Sequence, residues 1–179
     1  MHDEIMTIKF SREWAMPNAN TFTIPPIRSF VERYMRGVTV DPFARDCQLA
    51  QYTNDINPAT AATHHMQAVD FIEMLHGDGV RADVVIFDPP YSPRQISECY
   101  KAAGLKAGMT DTQNAAMYSQ VRARIRKICN PGATVLSFGW NSCGMGKSWR
   151  IEEIMLVAHG GAHADTICMA ESLVQPRLL

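Results

Sequence analysis

Apolar residues recur along this chain with two different periods, and the switches between them mark out its elements. Ile27, Phe30, Val31 and Tyr34 follow the three-and-four spacing of an amphipathic helix. They predict a helix over 26–35, begun at a proline and ended by Gly37. Residues 38–43 and 49–53 then read as short strands, with too few residues between them for a crossover helix. Met66, Val69, Phe71, Ile72, Met74 and Leu75 return to a helical pattern. Val84-Val85-Ile86-Phe87 is apolar at every position, as a strand buried on both faces must be, and predicts a central strand over 83–87. Helices are predicted over 95–102 and 113–129, separated by a loop at 104–111, with Asn130-Pro131-Gly132 as a sharp stop. A strand over 133–140 and a small-residue loop over 141–146 follow. The segments 151–159 and 164–171 read as a hairpin about Gly160-Gly161. Strands alternating with helices predict one α/β domain over 1–179, its sheet mostly parallel with an antiparallel C-terminal hairpin. Ahead of it, 14–27 is rich in proline and asparagine and reads as an extended arm.

The pattern breaks most abruptly at Asp88-Pro89-Pro90-Tyr91, directly after the apolar run. Proline fixes its own φ, removes a backbone donor and pushes the preceding residue out of the helical region. The strand must therefore stop at Asp88, and the chain turns stiffly while presenting a carboxylate, proline carbonyls and one aromatic face. A strand followed by a plain turn is the simplest account. Two other predicted strands end in a similar way, at Asp41-Pro42-Phe43 and at Tyr52-Thr53-Asn54-Asp55. Ligands of open α/β sheets bind just outside such carboxyl ends.

Asp-Pro-Pro-Tyr after an apolar strand resembles the catalytic motif of S-adenosylmethionine-dependent amino-methyltransferases that act on nucleobases, with matching segments from about Thr21 to Glu171. The resemblance implies a Rossmann-like methyltransferase sheet and S-adenosyl-L-methionine as cofactor. It implies catalytic roles for Asp88, Pro89, Pro90 and Tyr91, and transfer to adenine N6 in DNA, on a flipped or single-stranded base, as in compact phage or prophage enzymes. Cofactor contacts are implied for Thr23 and Pro25 of an N-terminal arm and helix (1–37) folding over the site. Asp41, Pro42, Phe43, Asn54, Asp55, Gln67 and Asp88 are implied in the same role. Two roles stay open for Asp55, a ribose acceptor or an Asx turn, and two for Phe22 and Ile24, a cofactor cover or a packing arm. The sequence departs from the family after Phe43, where Ala44-Arg45-Asp46-Cys47 replaces the usual glycines. RNA methylation at adenine N6 or guanine N2, or a non-catalytic partner subunit that keeps the fold, are the alternatives.

Composition adds a few bounds. Hydrophobic residues make up 46% and charged residues 20% of 179, as in ordinary soluble proteins, and no segment suggests a membrane span or signal peptide. Five scattered cysteines without a Cys-x-x-Cys pair predict a reducing, cytoplasmic setting. Adjacent His64 and His65 lack a nearby acid or cysteine to complete a metal site, and His159 and His163 read as an exposed hairpin tip, so no metal is expected. The net charge is −1, yet between Arg94 and Lys127 seven basic residues face two acidic ones. The segment 92–130 carries this excess, and the resemblance implies that it contacts substrate. Arg94, Arg122, Arg126, Lys127 and Lys147 are candidate phosphate contacts, with Arg124 turned elsewhere and Ile125 and Ile128 facing inward. A solvated helix face is the alternative. A homodimer or partner subunit is compatible with the small size.

Overall fold

A computed structural model describes residues 7–90, 92–104, 114–142 and 144–174. Among these, the strands are β1 (Lys9–Trp14), β2 (Thr39–Asp41), β3 (Tyr52–Thr53), β4 (Ala82–Phe87), β5 (Cys129–Gly139), β6 (Trp149–Ala158) and β7 (Thr166–Leu173). The helices are α1 (Pro25–Tyr34), α2 (Ala68–Gly77), α3 (Pro93–Ala102) and α4 (Asn114–Ile128). One sheet runs in the order β1-β6-β7-β5-β4-β2-β3. Its pairings are parallel except for those of β7, which runs antiparallel to both β5 and β6. The α/β class and the closing hairpin are therefore as the pattern predicts.

The central strand shows why. Val84 and Ile86 pack with Ile27, Phe30 and Val31 of α1 on one face of the sheet. Val85 and Phe87, one residue out of phase, pack with Phe71, Ile72 and Leu75 of α2 and with Val121, Ile125 and Ile128 of α4 on the other. A strand read by helices on both faces has no polar position to spare. Gly37, three residues beyond α1, has φ +54°, and a Cβ there would lie 2.1 Å from Asp83 Oδ2. That oxygen accepts the Val38 N–H at 2.8 Å and fixes where β2 begins beside β4.

Three features depart from the sequence expectation. β1 lies in the stretch ahead of the arm, parallel to β6 at the sheet edge, from Lys9 opposite Glu153 to Trp14 opposite Ala158. Its Lys9, Arg12 and Glu13 are exposed, which discourages pairing of that edge with another chain. Asn130-Pro131-Gly132 does not separate helix from strand. β5 starts at Cys129, and the three residues form an irregularity within it, opposite Asp83, where Asn130 Nδ2 donates to Asp83 Oδ1 at 2.9 Å. His159 is no exposed tip: it is buried, with Nδ1 2.8 Å from the Ala15 carbonyl and Nε2 2.9 Å from Thr166 Oγ1. It ties the end of β1 to the hairpin, whereas His163 is exposed. No described helix is long and apolar enough to cross a membrane.

Candidate active site

Beyond the carboxyl ends of β2, β3 and β4 lies a cavity of about 830 Å³. One side is the arm, residues 19–23, and the other is the start of α2 together with α3. α3 is set in place by a capping box. Ser92 Oγ accepts the Gln95 N–H, Gln95 Oε1 accepts the Ser92 N–H, and a proline opens the helix. Ile96 and Tyr100, one turn apart, thereby turn inward and are buried at the cavity wall. The Tyr100 hydroxyl and the Gln67 amide are within 3.0 Å, which links α3 to the N-cap of α2.

Asp88, Pro89 and Pro90 line this cavity; Tyr91 lies outside the described residues. The Asp88 carboxylate is partly exposed and hydrogen-bonds the Thr21 hydroxyl of the arm. Burial pushes its pKa up to about 6, against the opposing pull of that hydrogen bond and of the Arg45 charge. A carboxylate poised near 6 at the mouth of a strand is a competent acceptor at neutral pH.

Asp41 is placed differently from the expected ligand position. It is fully buried behind Pro42 and does not line the cavity. Oδ1 accepts the Phe43 N–H at 2.9 Å and Oδ2 has no hydrogen-bond partner. Burial, reinforced by the nearby Asp88 and Asp55 charges, pushes its pKa up to about 8, so the group is largely protonated at pH 7. Pro42 and Phe43 do line the cavity, and Phe43 packs edge-on against Phe87 at 6.0 Å.

The segment without glycines forms a tight turn, with the Cys47 N–H donating to the Ala44 carbonyl at 2.8 Å. Arg45, inside the turn, has φ +50°, so the left-handed conformation that a glycine would supply is present without one. Its Nη1 donates to the Ala19 carbonyl of the arm at 2.9 Å. Arg45 and Thr21 are the residues the sequence reading missed. The missing glycines marked Arg45, but nothing in the pattern marked Thr21.

Asn54 is buried and its amide is fully used within the protein: Nδ2 donates to the Pro42 and Met66 carbonyls, and Oδ1 accepts the Met66 N–H. It pins the cavity floor. Asp55 lines the cavity and also closes an Asx turn, its Oδ1 accepting the Asn57 N–H at 2.8 Å. Its pKa is raised by burial. Gln67 and Thr23 line the cavity as well, while Pro25 faces a second, shallower hollow beside Trp14 and Met16. Phe22 lines the cavity and packs edge-on against Phe138 in the core, so the arm is both a cover and a packing element.

The basic residues of α4 divide between its two flanks. Arg124 and Lys127 both reach Glu73 of α2 at 3.0 Å, on one flank of the buried Val121, Ile125 and Ile128. Arg126 is exposed on the other flank, and Arg122, partly buried there, acts on the buried Glu171 carboxylate. Arg94 is largely exposed and pairs with Glu98 at 2.8 Å. Lys147 precedes β6, whose first residue pairs with Leu173 at the far end of β7. β7 begins beside Gly139 on the cavity side, so Lys147 stands at the end of the strands opposite Asp88.

No family model and no curated protein matches this chain. Among solved structures it is similar to yhhF of Escherichia coli, described as a candidate methyltransferase, with a TM-score of 0.51 and 10% identity over 90% of this chain and 91% of that one. The fold is that of a Rossmann-like methyltransferase. Weaker likenesses are a SAM-dependent methyltransferase from Agrobacterium tumefaciens (TM-score 0.45, 12% identity, 83% of this chain) and TrmN from Thermus thermophilus (0.47, 12%, 84%). The chain spans 59% and 49% of those two proteins.

Proposed function

We propose that this chain transfers a methyl group from S-adenosylmethionine to an exocyclic amine of a nucleobase, adenine N6 in DNA before other bases. The observation that carries the reading is the placement of Asp88, followed by two prolines, at the end of the central strand with its carboxylate on the strand-end cavity. The cavity suits the cofactor: its volume is in the range of small-molecule sites, and its lining mixes Phe43, Leu49 and Ile96 with the carboxylates of Asp55 and Asp88. Pro42, Phe43, Asp55, Gln67 and the arm residue Thr23 are the groups that would hold it. Bound there, S-adenosylmethionine supplies a methyl already activated by its sulfonium.

The protein's task is then to prepare the amine, whose lone pair is delocalised into the base ring. Two acceptors placed at its hydrogens favour the pyramidal form, in which the lone pair is free to attack. The Asp88 carboxylate is one and the Pro89 carbonyl the other, and the two prolines hold that carbonyl without reorganisation. Tyr91 supplies the flat face for an extruded base, and a base inside a duplex must be flipped to reach it. Arg94, exposed and paired with Glu98, and Arg126, exposed on the flank of α4 away from Glu73, would meet phosphates, and the substrate acts as partner without a membrane.

The test joins calorimetry with S-adenosylmethionine to methyl transfer onto DNA and RNA. Asp88→Ala is expected to keep most of the cofactor affinity and to lower transfer by about 100-fold or more. In the parent, transfer should rise through pH 6 as the carboxylate ionises. Full transfer by Asp88→Ala would sink the assignment, and faster transfer onto RNA would move the substrate.

A further inference from the structure

Arg45 is the one described non-glycine residue with a positive φ, and it stands in a turn that a glycine would occupy without strain. Strain at such a place points to a demand on the side chain. The demand is legible in the charges around the cavity. Its lining carboxylates are Asp46, Asp55, Asp88 and Glu98, and its lining cations are Arg28 and Arg45. Arg28 is paired with Glu32, Glu98 with Arg94, and Asp46 accepts the Ala61 N–H. That leaves Arg45 as the cavity cation without an ion pair among the described residues. Its charge pulls on Asp55 and Asp88, so it sits within electrostatic reach of two of the four lining carboxylates. Only one of its five N–H donors is used by the Ala19 carbonyl. Two carboxylates and one planar guanidinium complement a zwitterion, the first for its cationic part and the second for its carboxylate.

We propose that the Arg45 guanidinium anchors the α-carboxylate of an amino-acid-bearing ligand in this cavity. This rests on the reading of the site as one for S-adenosylmethionine, and it adds the group that distinguishes the cofactor from analogues lacking the carboxylate. The strained Arg45 conformation is the cost of placing a cation where the family's glycines place none.

The experiment compares S-adenosylmethionine with decarboxylated S-adenosylmethionine by calorimetry, on the parent, Arg45→Gly and Arg45→Lys, with thermal melting of each ligand-free protein. Glycine suits φ +50°, so Arg45→Gly should melt no lower than the parent. It should bind S-adenosylmethionine about 10- to 100-fold more weakly and leave affinity for the decarboxylated compound within about twofold. Arg45→Lys, a cation without the bidentate fork, should fall between parent and glycine variant. Equal weakening toward both compounds would make Arg45 a clasp for the arm through Ala19 and overturn the proposal, as would no change toward either. A parent protein that binds neither compound overturns the cofactor reading along with it.

Discussion

Asp41 gives the sharpest physical test of the site, because its environment fixes both the sign and the size of an effect. The group is fully buried, one oxygen accepts a single backbone N–H, and the other has no partner. Its pKa is raised from 3.8 to about 8 in the folded chain. Between those values the folded state holds a proton that the unfolded state releases. The stability this proton contributes is complete below pH 3.8 and is lost progressively as the pH rises toward 8. One extra bound proton corresponds to about 1.4 kcal/mol per pH unit, so raising the pH from 5 to 7 should remove about 2–3 kcal/mol through Asp41 alone. Asparagine has the shape of the protonated acid, and its Oδ1 can still accept from Phe43. Urea denaturation of the parent and of Asp41→Asn at pH 5, 6 and 7 isolates the term, since the other raised carboxylates cancel in the difference. The variant should gain on the parent by about 2–3 kcal/mol between pH 5 and 7. It should also keep its affinity for S-adenosylmethionine, because a neutral group behind Pro42 is a strand-end staple. A constant difference across that range refutes the protonated state, and a large loss of affinity refutes the staple.

Two further outcomes follow from the same geometry. Asn54→Ala leaves the Pro42 carbonyl and both backbone groups of Met66 without their buried partner. It should cost about 3–5 kcal/mol in chemical denaturation, and a loss below about 1 kcal/mol would show that water replaces the amide. Arg126→Ala should flatten the slope of log affinity against log salt on duplex DNA by about 0.9, whereas Lys147→Ala, at the opposite end of the strands, should leave it unchanged; the reverse result would move the nucleic-acid face.

What the sequence made legible is what depends on one strand or one helix at a time. Residues 84–87 announce a strand covered on both faces because no polar residue is tolerated there, and Asp88 announces its end because proline cannot continue a ladder. The spacing of Ile125 and Ile128 placed the buried side of α4 correctly. β1 escaped the same reading because an edge strand paired on one side buries little, and its Lys9-Phe10-Ser11-Arg12-Glu13-Trp14 carries no alternation to detect. The division of labour between neighbouring carboxylates escaped for a different reason. Asp41 and Asp88 both stand at a strand end before proline, yet one has turned into the protein and the other toward the cavity. That choice is made by what closes over them. Asn54 and the turn through Arg45 seal the space around Asp41, while Thr21 arrives from an arm more than 60 residues away to meet Asp88. A local pattern can nominate a strand-end acid, but only the packed arm decides whether that acid is a staple or a reagent. The Arg45 turn belongs to the second kind of information, since its strain and its charge acquire meaning together only when Ala19, Asp55 and Asp88 surround it.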